Sequence, residues 1–350
     1  MKNVDVIIVG SGIAGINLAW EFYHRNISFV IISQPKLSQS SLIAPGVWNP
    51  IVFKRITTTW NASLLINELY RFYNRIENLL QKNLIQNLKI WHVLNSHDEE
   101  KLWIQKAEMY PRFLNSIQTF ENQYHSGLKK DIKVGEVIQC GRLNTSEYIY
   151  YSIKFFENQN WFIESFFYPD LLYIKENQIE YDSIRAKHIV FCEGYKVKDN
   201  PFFSFVPLKP AKGEIIEIET KNNILPENTI LHKHISIIPN GHHKYLIGSN
   251  YDWENLNDEP TEGVKQKFLK EFEELFDVDY EVIGHYAGVR PAADRRPILG
   301  HHPEYKNLWI FNGLGTKGIM LSPYCSKILA EAIFNGKCID DEINVTRFLK

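Results

Sequence analysis

Cysteine is scarce in this chain: four in 350 residues, Cys140, Cys192, Cys325 and Cys338, none in a Cys-x-x-Cys pair. That spacing suggests neither a zinc site nor a disulfide framework, so free thiols in a reducing cytoplasm are expected. A charge of one sign is also lacking. Lys plus Arg number 39 against 41 for Asp plus Glu, a formal net charge of −2. This gives no electrostatic reason to expect a nucleic-acid or anionic-membrane partner. No stretch reaches the uninterrupted length of a membrane span. The most apolar segment, Val4 to Trp20, contains three glycines and Asp5, with only Lys2 as a basic residue before it. No small-residue cleavage site follows, so it reads as structure rather than as a secretory signal, and a cytoplasmic location is expected. Repeats, low-complexity segments, a Gly-x-Ser-x-Gly element and a phosphate-loop lysine motif are absent. His242-His243 and His301-His302 are adjacent pairs whose side chains point apart on extended backbone. No helical His-x-x-x-His pair occurs, and a metal site is not expected.

What is present is enough for two domains with real cores. Hydrophobic residues make up 44% of the chain, and aromatics reach 13%, which suits filled cores and ligand pockets alike. Val4–Val9 is a mostly apolar run of the kind buried on both faces of a parallel sheet. Gly10-Ser11-Gly12-Ile13-Ala14-Gly15 follows, then a helical pattern to about Arg25 and a second strand, Ser28 to Ile32. This is β-α-β order in under 35 residues. Gly10 permits the tight turn and Gly12 lets backbone approach a pyrophosphate. Gly15 lets helix and strand pack closely, while Ile13 and Ala14 begin the helix whose N-terminus attracts an anion. Dinucleotide binding is the reading. No Asp or Glu occurs between Asn26 and Asn67 to hold the adenosine ribose, leaving Ser33 and Gln34 at the second strand's end. Lys36 nearby keeps open a 2′-phosphate and hence NADP.

Residues 35–59, with Ser38, Ser40, Ser41, Pro45 and Gly46, read as an irregular loop. A helix is expected over 61–82, with Leu64, Leu65, Leu69, Phe72, Ile76 and Leu79 near one face. A strand follows near Lys89–Leu94, and a helix from about Asp98. Asn144 and Glu147 mark a helix start, and strands near 161–175 precede another at Ala186–Cys192. From 207 the pattern changes. Glu214–Glu219 alternates, and Ile235–Ile238 and Tyr245–Ser249 flank Pro239-Asn240-Gly241, a hairpin signal. Thr261 is expected to cap a helix to about Phe276, and Glu281–Val289 to form a strand. The α/β character returns with strand Leu308–Phe311, a glycine-rich turn and a helix ending at Asn335-Gly336.

Toward the C-terminus Gly288-Val289-Arg290-Pro291 precedes Asp294-Arg295-Arg296-Pro297-Ile298-Leu299-Gly300. Gly313-Leu314-Gly315-Thr316-Lys317-Gly318 then leads to Ser322-Pro323. With the N-terminal glycines, Ser40 to Gly46 (Ala44 included), Cys192-Glu193-Gly194 and Pro207 to Glu214, these motifs resemble the D-amino-acid oxidase superfamily of flavoproteins. Glycine oxidase, sarcosine oxidase and the oxidase module of the bifunctional tRNA wobble-uridine enzyme belong to it. The likeness runs in order over nearly the whole chain.

The resemblance implies an α/β fold: a Rossmann-like FAD-binding domain over 1–85, 135–205 and 286–350, and an α+β substrate domain on an antiparallel sheet over 86–134 and 206–285. It implies non-covalent FAD, because Pro291 stands where some relatives attach their flavin to cysteine. Gly315, Gly318 and Ile319 would offer backbone donors to the reduced flavin, with Lys317 either an added cation or a solvated surface residue. Ser322 and Pro323 would open the last helix. Arg290 would pair with a substrate carboxylate, its alternative being an ion pair with Asp294, and Tyr251 would line the pocket. The function implied is oxidation of a CH–NH bond of a small amino acid or amine by hydride transfer to flavin, with oxygen or another acceptor. Alternatives are an oxidase acting on a modified tRNA nucleoside, suggested by Gly46-Val47-Trp48-Asn49-Pro50, an NADP-dependent reductase, and a flavin-binding module without catalysis.

Overall fold

The computed structural model describes residues 1–34, 40–121, 127–176 and 178–349; Lys36 and Ser38 lie outside them. Two sheets divide the molecule. In the first, Lys2–Val9 is the buried strand read from its apolar run, and it pairs in parallel with both Phe29–Ser33 and Ile184–Phe191. Phe162–Glu164 extends the sheet on one side, and Leu308–Asn312 pairs in parallel with the end of Ile184–Phe191 on the other. The carboxyl ends of these parallel strands share one edge, where open α/β sheets bind ligands. Gly10, Gln34, Cys192 and Gly313 follow directly at that edge.

The second sheet has Tyr280–Arg290, Ala211–Thr220, Lys244–Gly248, Ser236–Pro239, Thr229–His232, Ile85–Leu94, Ile132–Leu143 and Val47–Trp48 in spatial order. All its pairs are antiparallel except Thr229–His232 with Ile85–Leu94. Ile132–Leu143 and Tyr280–Arg290 both lie wholly in this sheet, so the expected divisions at 134/135 and 285/286 run through strands. Alternation assigns its faces. Ile216, Ile218, Leu231, Ile237 and Ile247 pack with Phe268 and Phe272 of the helix Glu262–Glu273. Ile215, Ile230, Ile238 and Gly248 face the first sheet across a cavity.

Several local expectations are corrected. Residues 40–59 contain a helical turn, Ser40–Ile43, and two-residue strands rather than irregular chain. The helix Ala62–Leu80 buries Ala62, Ile66 and Tyr73 beside Leu65, Leu69, Phe72 and Ile76, while Leu64 and Leu79 are exposed. Asn144 caps its helix, accepting from Glu147 N–H. Thr261 does not; its hydroxyl and N–H both donate to the buried Glu214 carboxylate. Ser322-Pro323 does not open the last helix, which runs from Gly318 to Asn335. A proline inside a helix removes the N–H that would bond the carbonyl four residues earlier. Here that carbonyl, on Ile319, accepts instead from the Tyr73 hydroxyl at 3.2 Å.

Tyr73 belongs to a buried polar hub. Asn17 donates to Tyr73 Oη at 3.0 Å and to Ser322 Oγ at 2.6 Å, and accepts from Tyr148 Oη at 2.7 Å. Each residue comes from a different helix, so the hub registers four helices against one another. Tyr73→Phe leaves the Ile319 carbonyl and one Asn17 N–H unpaired in the core. A loss of about 1–3 kcal/mol is expected, read from the urea midpoint at unchanged m-value.

Candidate active site

A cavity of ≈ 660 Å³ runs from the carboxyl edge of the first sheet to the inner face of the second. At its first end is the glycine turn. Gly10 adopts φ +104°, and a Cβ there would lie 2.5 Å from the Cys192 carbonyl oxygen. Gly15 does not line the cavity: a Cβ on it would meet Gly10 O at 1.9 Å, so it serves helix–strand contact. Gly12, Ile13 and Ala14 do line it, at the N-terminus of the helix Ile13–His24. Ser41 Oγ accepts from Ile13 N–H at 3.1 Å, and Ser40, Ala44 and Gly46 continue the wall.

Ser33 and Gln34 divide the work expected of them. Ser33 Oγ already accepts from Ser11 N–H and Ser11 Oγ, so it braces the turn. Gln34 Oε1 is buried against the cavity with no partner among the described residues. Glu193, named in the sequence only as part of the Cys192-Glu193-Gly194 motif, also lines this end. Burial pushes its carboxyl up to about 7 despite a 2.7 Å hydrogen bond from Asn200. Gly194 follows with φ +59°.

The glycine-rich segment 313–318 forms one side of the middle of the cavity, except that Gly313 lies behind it, with φ +71° and packed on Ile298. Gly315 lines the cavity, but its N–H donates to Pro291 O at 3.2 Å and is not a free donor. Gly318 and Ile319, the first two residues of the final helix, have no carbonyl within that helix to bond and face the cavity beside exposed Thr316. Lys317 is no surface lysine. It is half-buried, and its ammonium donates to Asn49 O at 2.9 Å and Thr59 Oγ1 at 2.7 Å. Desolvation lowers its pKa to about 8. The turn, the Gln34 acceptor and the N–H groups at two helix starts fit a dinucleotide carrying a flavin.

At the far end Arg290 closes the strand Tyr280–Arg290. Its guanidinium lies over Gly213, where a Cβ would stand 1.9 Å from Nη2. It donates to Asn250 O at 3.0 Å and sits 4.9 Å from the Tyr251 ring centroid. The expected alternative partner, Asp294, is instead held by Arg347 through two bonds of 3.1 and 2.9 Å. Among the described residues no carboxylate pairs with Arg290, and burial lowers its pKa. A half-buried cation facing a cavity, hydrogen-bonded to carbonyls and with no opposite charge among the described residues, has the chemistry to receive an anion.

The second sheet adds residues that the sequence did not single out: His232, Ser236 and, from a short helical turn, Phe53. The Phe53 ring stacks on both His232 at 4.2 Å and His92 at 4.6 Å, whose own rings lie 5.3 Å apart. Burial pushes the imidazoles down, His92 to about 4 and His232 to about 3. Unfolding exposes them to protonation near their ordinary pKa of about 6.5. Their stabilising contribution is therefore present above pH 6.5 and lost as pH falls toward 4. His92 alone is expected to cost up to about 3 kcal/mol over that interval. Urea midpoints measured between pH 7 and 4 should fall less steeply in His92→Gln than in the parent.

Residues 168–332 match the family model for FAD dependent oxidoreductases, DAO. Glycine oxidase of Pseudomonas aeruginosa is 27% identical over 139 residues, 39% of this chain and 38% of that protein. The tRNA 5-methylaminomethyl-2-thiouridine biosynthesis bifunctional protein MnmC of Leptospira interrogans is 23% identical across 98% of this chain and 59% of its own length. The chain thus spans about two fifths of the glycine oxidase it matches. The crystal structure of glycine oxidase from Geobacillus kaustophilus superimposes with a TM-score of 0.81 at 17% identity, covering 99% of both chains. That likeness is one of fold. No helix among the described residues is long and apolar enough to cross a membrane. Over residues 168–332 the chain is thus similar to the FAD dependent oxidoreductase family, and it shares its fold with the glycine oxidase of Geobacillus kaustophilus.

Proposed function

We propose that the protein holds FAD non-covalently and oxidises a CH–NH bond of a small amino acid or amine. The observation that carries this reading is Arg290: a half-buried guanidinium without a carboxylate partner among the described residues, opening into the same cavity as the Gly10–Gly15 turn. Bound FAD would supply a two-electron acceptor for a hydride.

The protein's own part is placement. Gly12, Ile13 and Ala14 would hold the pyrophosphate at the helix N-terminus, and Gln34 would take the ribose. Gly318 and Ile319 would donate N–H groups to the isoalloxazine, and Lys317, charged below about pH 8, would add a positive charge. Arg290 would grip the substrate carboxylate by two prongs, fixing its Cα–H. Loss of a hydride from the neutral amine leaves an iminium cation, which water hydrolyses to the oxo acid and ammonium; oxygen or another acceptor would take the electrons onward.

Purified protein is expected to be yellow and to release its flavin into the supernatant on acid precipitation. Anaerobic bleaching by a panel of D- and L-amino acids, glycine, N-methyl amino acids and proline analogues tests the reaction. Protein that stays colourless and cannot be reconstituted with FAD sinks the cofactor; a flavin left in the pellet sinks only its non-covalent attachment. Reduction by modified tRNA, with no response to free amines, would transfer the activity to a nucleoside substrate.

A further inference from the structure

We infer that the cavity carries a second polar subsite, His232 with Ser236, which selects an amino acid bearing an uncharged hydroxyl or carboxamide on its side chain. This rests on the amino-acid reading above and narrows its substrate class.

The register of the second sheet puts the pair in place. Ile215 faces Gly248, Gly248 faces Ser236, and Ser236 faces His232, one row across four neighbouring strands. Ser236 and His232 line the cavity on the same sheet face as Gly213, over which Arg290 lies. Arg290 donates to Asn250 O, two residues beyond Gly248. Its guanidinium therefore sits one pleat along from the Ser236 row and one to two strands to the side, on the order of 10 Å away. Subtracting a hydrogen-bonding contact of roughly 3 Å at each end leaves the reach of a short amino-acid side chain beyond its carboxylate.

The chemistry of the pair defines what it accepts. His232 Nδ1 and Ser236 Oγ are 2.9 Å apart, and among the described residues His232 Nε2 has no hydrogen-bond partner. If the serine hydroxyl donates to Nδ1, the cavity meets an Nε2–H donor and serine lone pairs. If Nδ1–H donates to the serine, the cavity meets an Nε2 acceptor and a hydroxyl donor. Either tautomer offers one donor and one acceptor. A hydroxyl or a carboxamide matches both; a carboxylate only accepts and an ammonium only donates. The imidazole is held neutral by burial and by neighbouring His92 and His234, so it supplies no charge to an anion. Around it Ile90, Ile230 and Ile238 line an apolar wall, where an unpaired ion would lose its hydration uncompensated. Stacking on Phe53 at 4.2 Å fixes the ring plane.

The test titrates FAD-loaded protein anaerobically with both enantiomers of asparagine, homoserine, aspartate and leucine. Binding is read from perturbation of the visible flavin spectrum, and turnover separately from bleaching. Asparagine or homoserine should bind at least about tenfold more tightly than leucine and aspartate. That ratio should collapse toward one in Ser236→Ala and His232→Leu, and survive in Ser236→Thr, which keeps the hydroxyl. Equal or tighter binding of leucine or aspartate overturns the subsite, as does a ratio unchanged in both variants or no spectral response to any polar member. If the panel binds with the stated preference but bleaches nothing, the oxidation reading fails and the subsite stands.

Discussion

Arg290→Ala is expected to lower kcat/KM for an amino-acid substrate by about two to four powers of ten. The guanidinium is half-buried, donates to Asn250 O, and has no carboxylate partner among the described residues. A substrate carboxylate would be its first opposite charge. Removing one member of such a desolvated pair costs roughly 3–5 kcal/mol, which converts to that loss in rate. Arg290→Lys should recover only part, since an ammonium cannot make the two-pronged contact. Gly213→Ala gives an independent approach. Its methyl would occupy the guanidinium's own position, 1.9 Å from Nη2, so it should impair the same substrates with Arg290 intact. FAD content should be near normal in all three variants. Decarboxylated amines should be poor substrates of the parent and lose little more in Arg290→Ala. Equal damage to acids and simple amines would make Arg290 structural, and loss of flavin would make it a cofactor or fold residue.

How far the sequence could be read followed how local the cause was. The Gly10–Gly15 turn, the strand Lys2–Val9 and the Asn335-Gly336 helix end are set by residues adjacent in the chain, and they stand where periodicity and glycine placed them. Pro323 failed as a helix opener because its missing hydrogen bond is replaced by Tyr73, 250 positions away. Leu64 failed as a core residue because helix phase is settled by what packs on it, and Ile66 and Tyr73 won that contact. Gly315 was read as a free donor, but Pro291 from another segment takes its N–H. Arg290 was legible as a residue, through its motif, but its freedom from Asp294 depended on Arg347. His232, Ser236 and Phe53 left no trace in spacing. Their row exists only through strand register, and register between distant strands is not written in either strand alone.

Gly12→Val should abolish or greatly weaken FAD binding while leaving the fold intact, whereas Gly15→Val should damage the fold itself. The two glycines share a motif but meet different surroundings. A Cβ at Gly12 has only Ser41 Oγ nearby, at 3.4 Å, and its backbone angles of −71° and −175° are open to any residue. Valine is therefore tolerated by the protein and projects toward the space a pyrophosphate needs beside the Ile13–His24 helix. Losing one or two charge-assisted bonds there, at about 1.5–3 kcal/mol each, weakens FAD by roughly tenfold to more than a thousandfold. A Cβ at Gly15 would lie 1.9 Å from Gly10 O and 3.4 Å from Cys192 Cβ, forcing helix from strand before any ligand arrives. Apoprotein melting should thus be near normal for Gly12→Val and depressed for Gly15→Val, with FAD titration by fluorescence quenching reporting affinity. If Gly12→Val binds FAD as tightly as the parent, the turn is not the phosphate cradle, and the dinucleotide must lie elsewhere in the cavity.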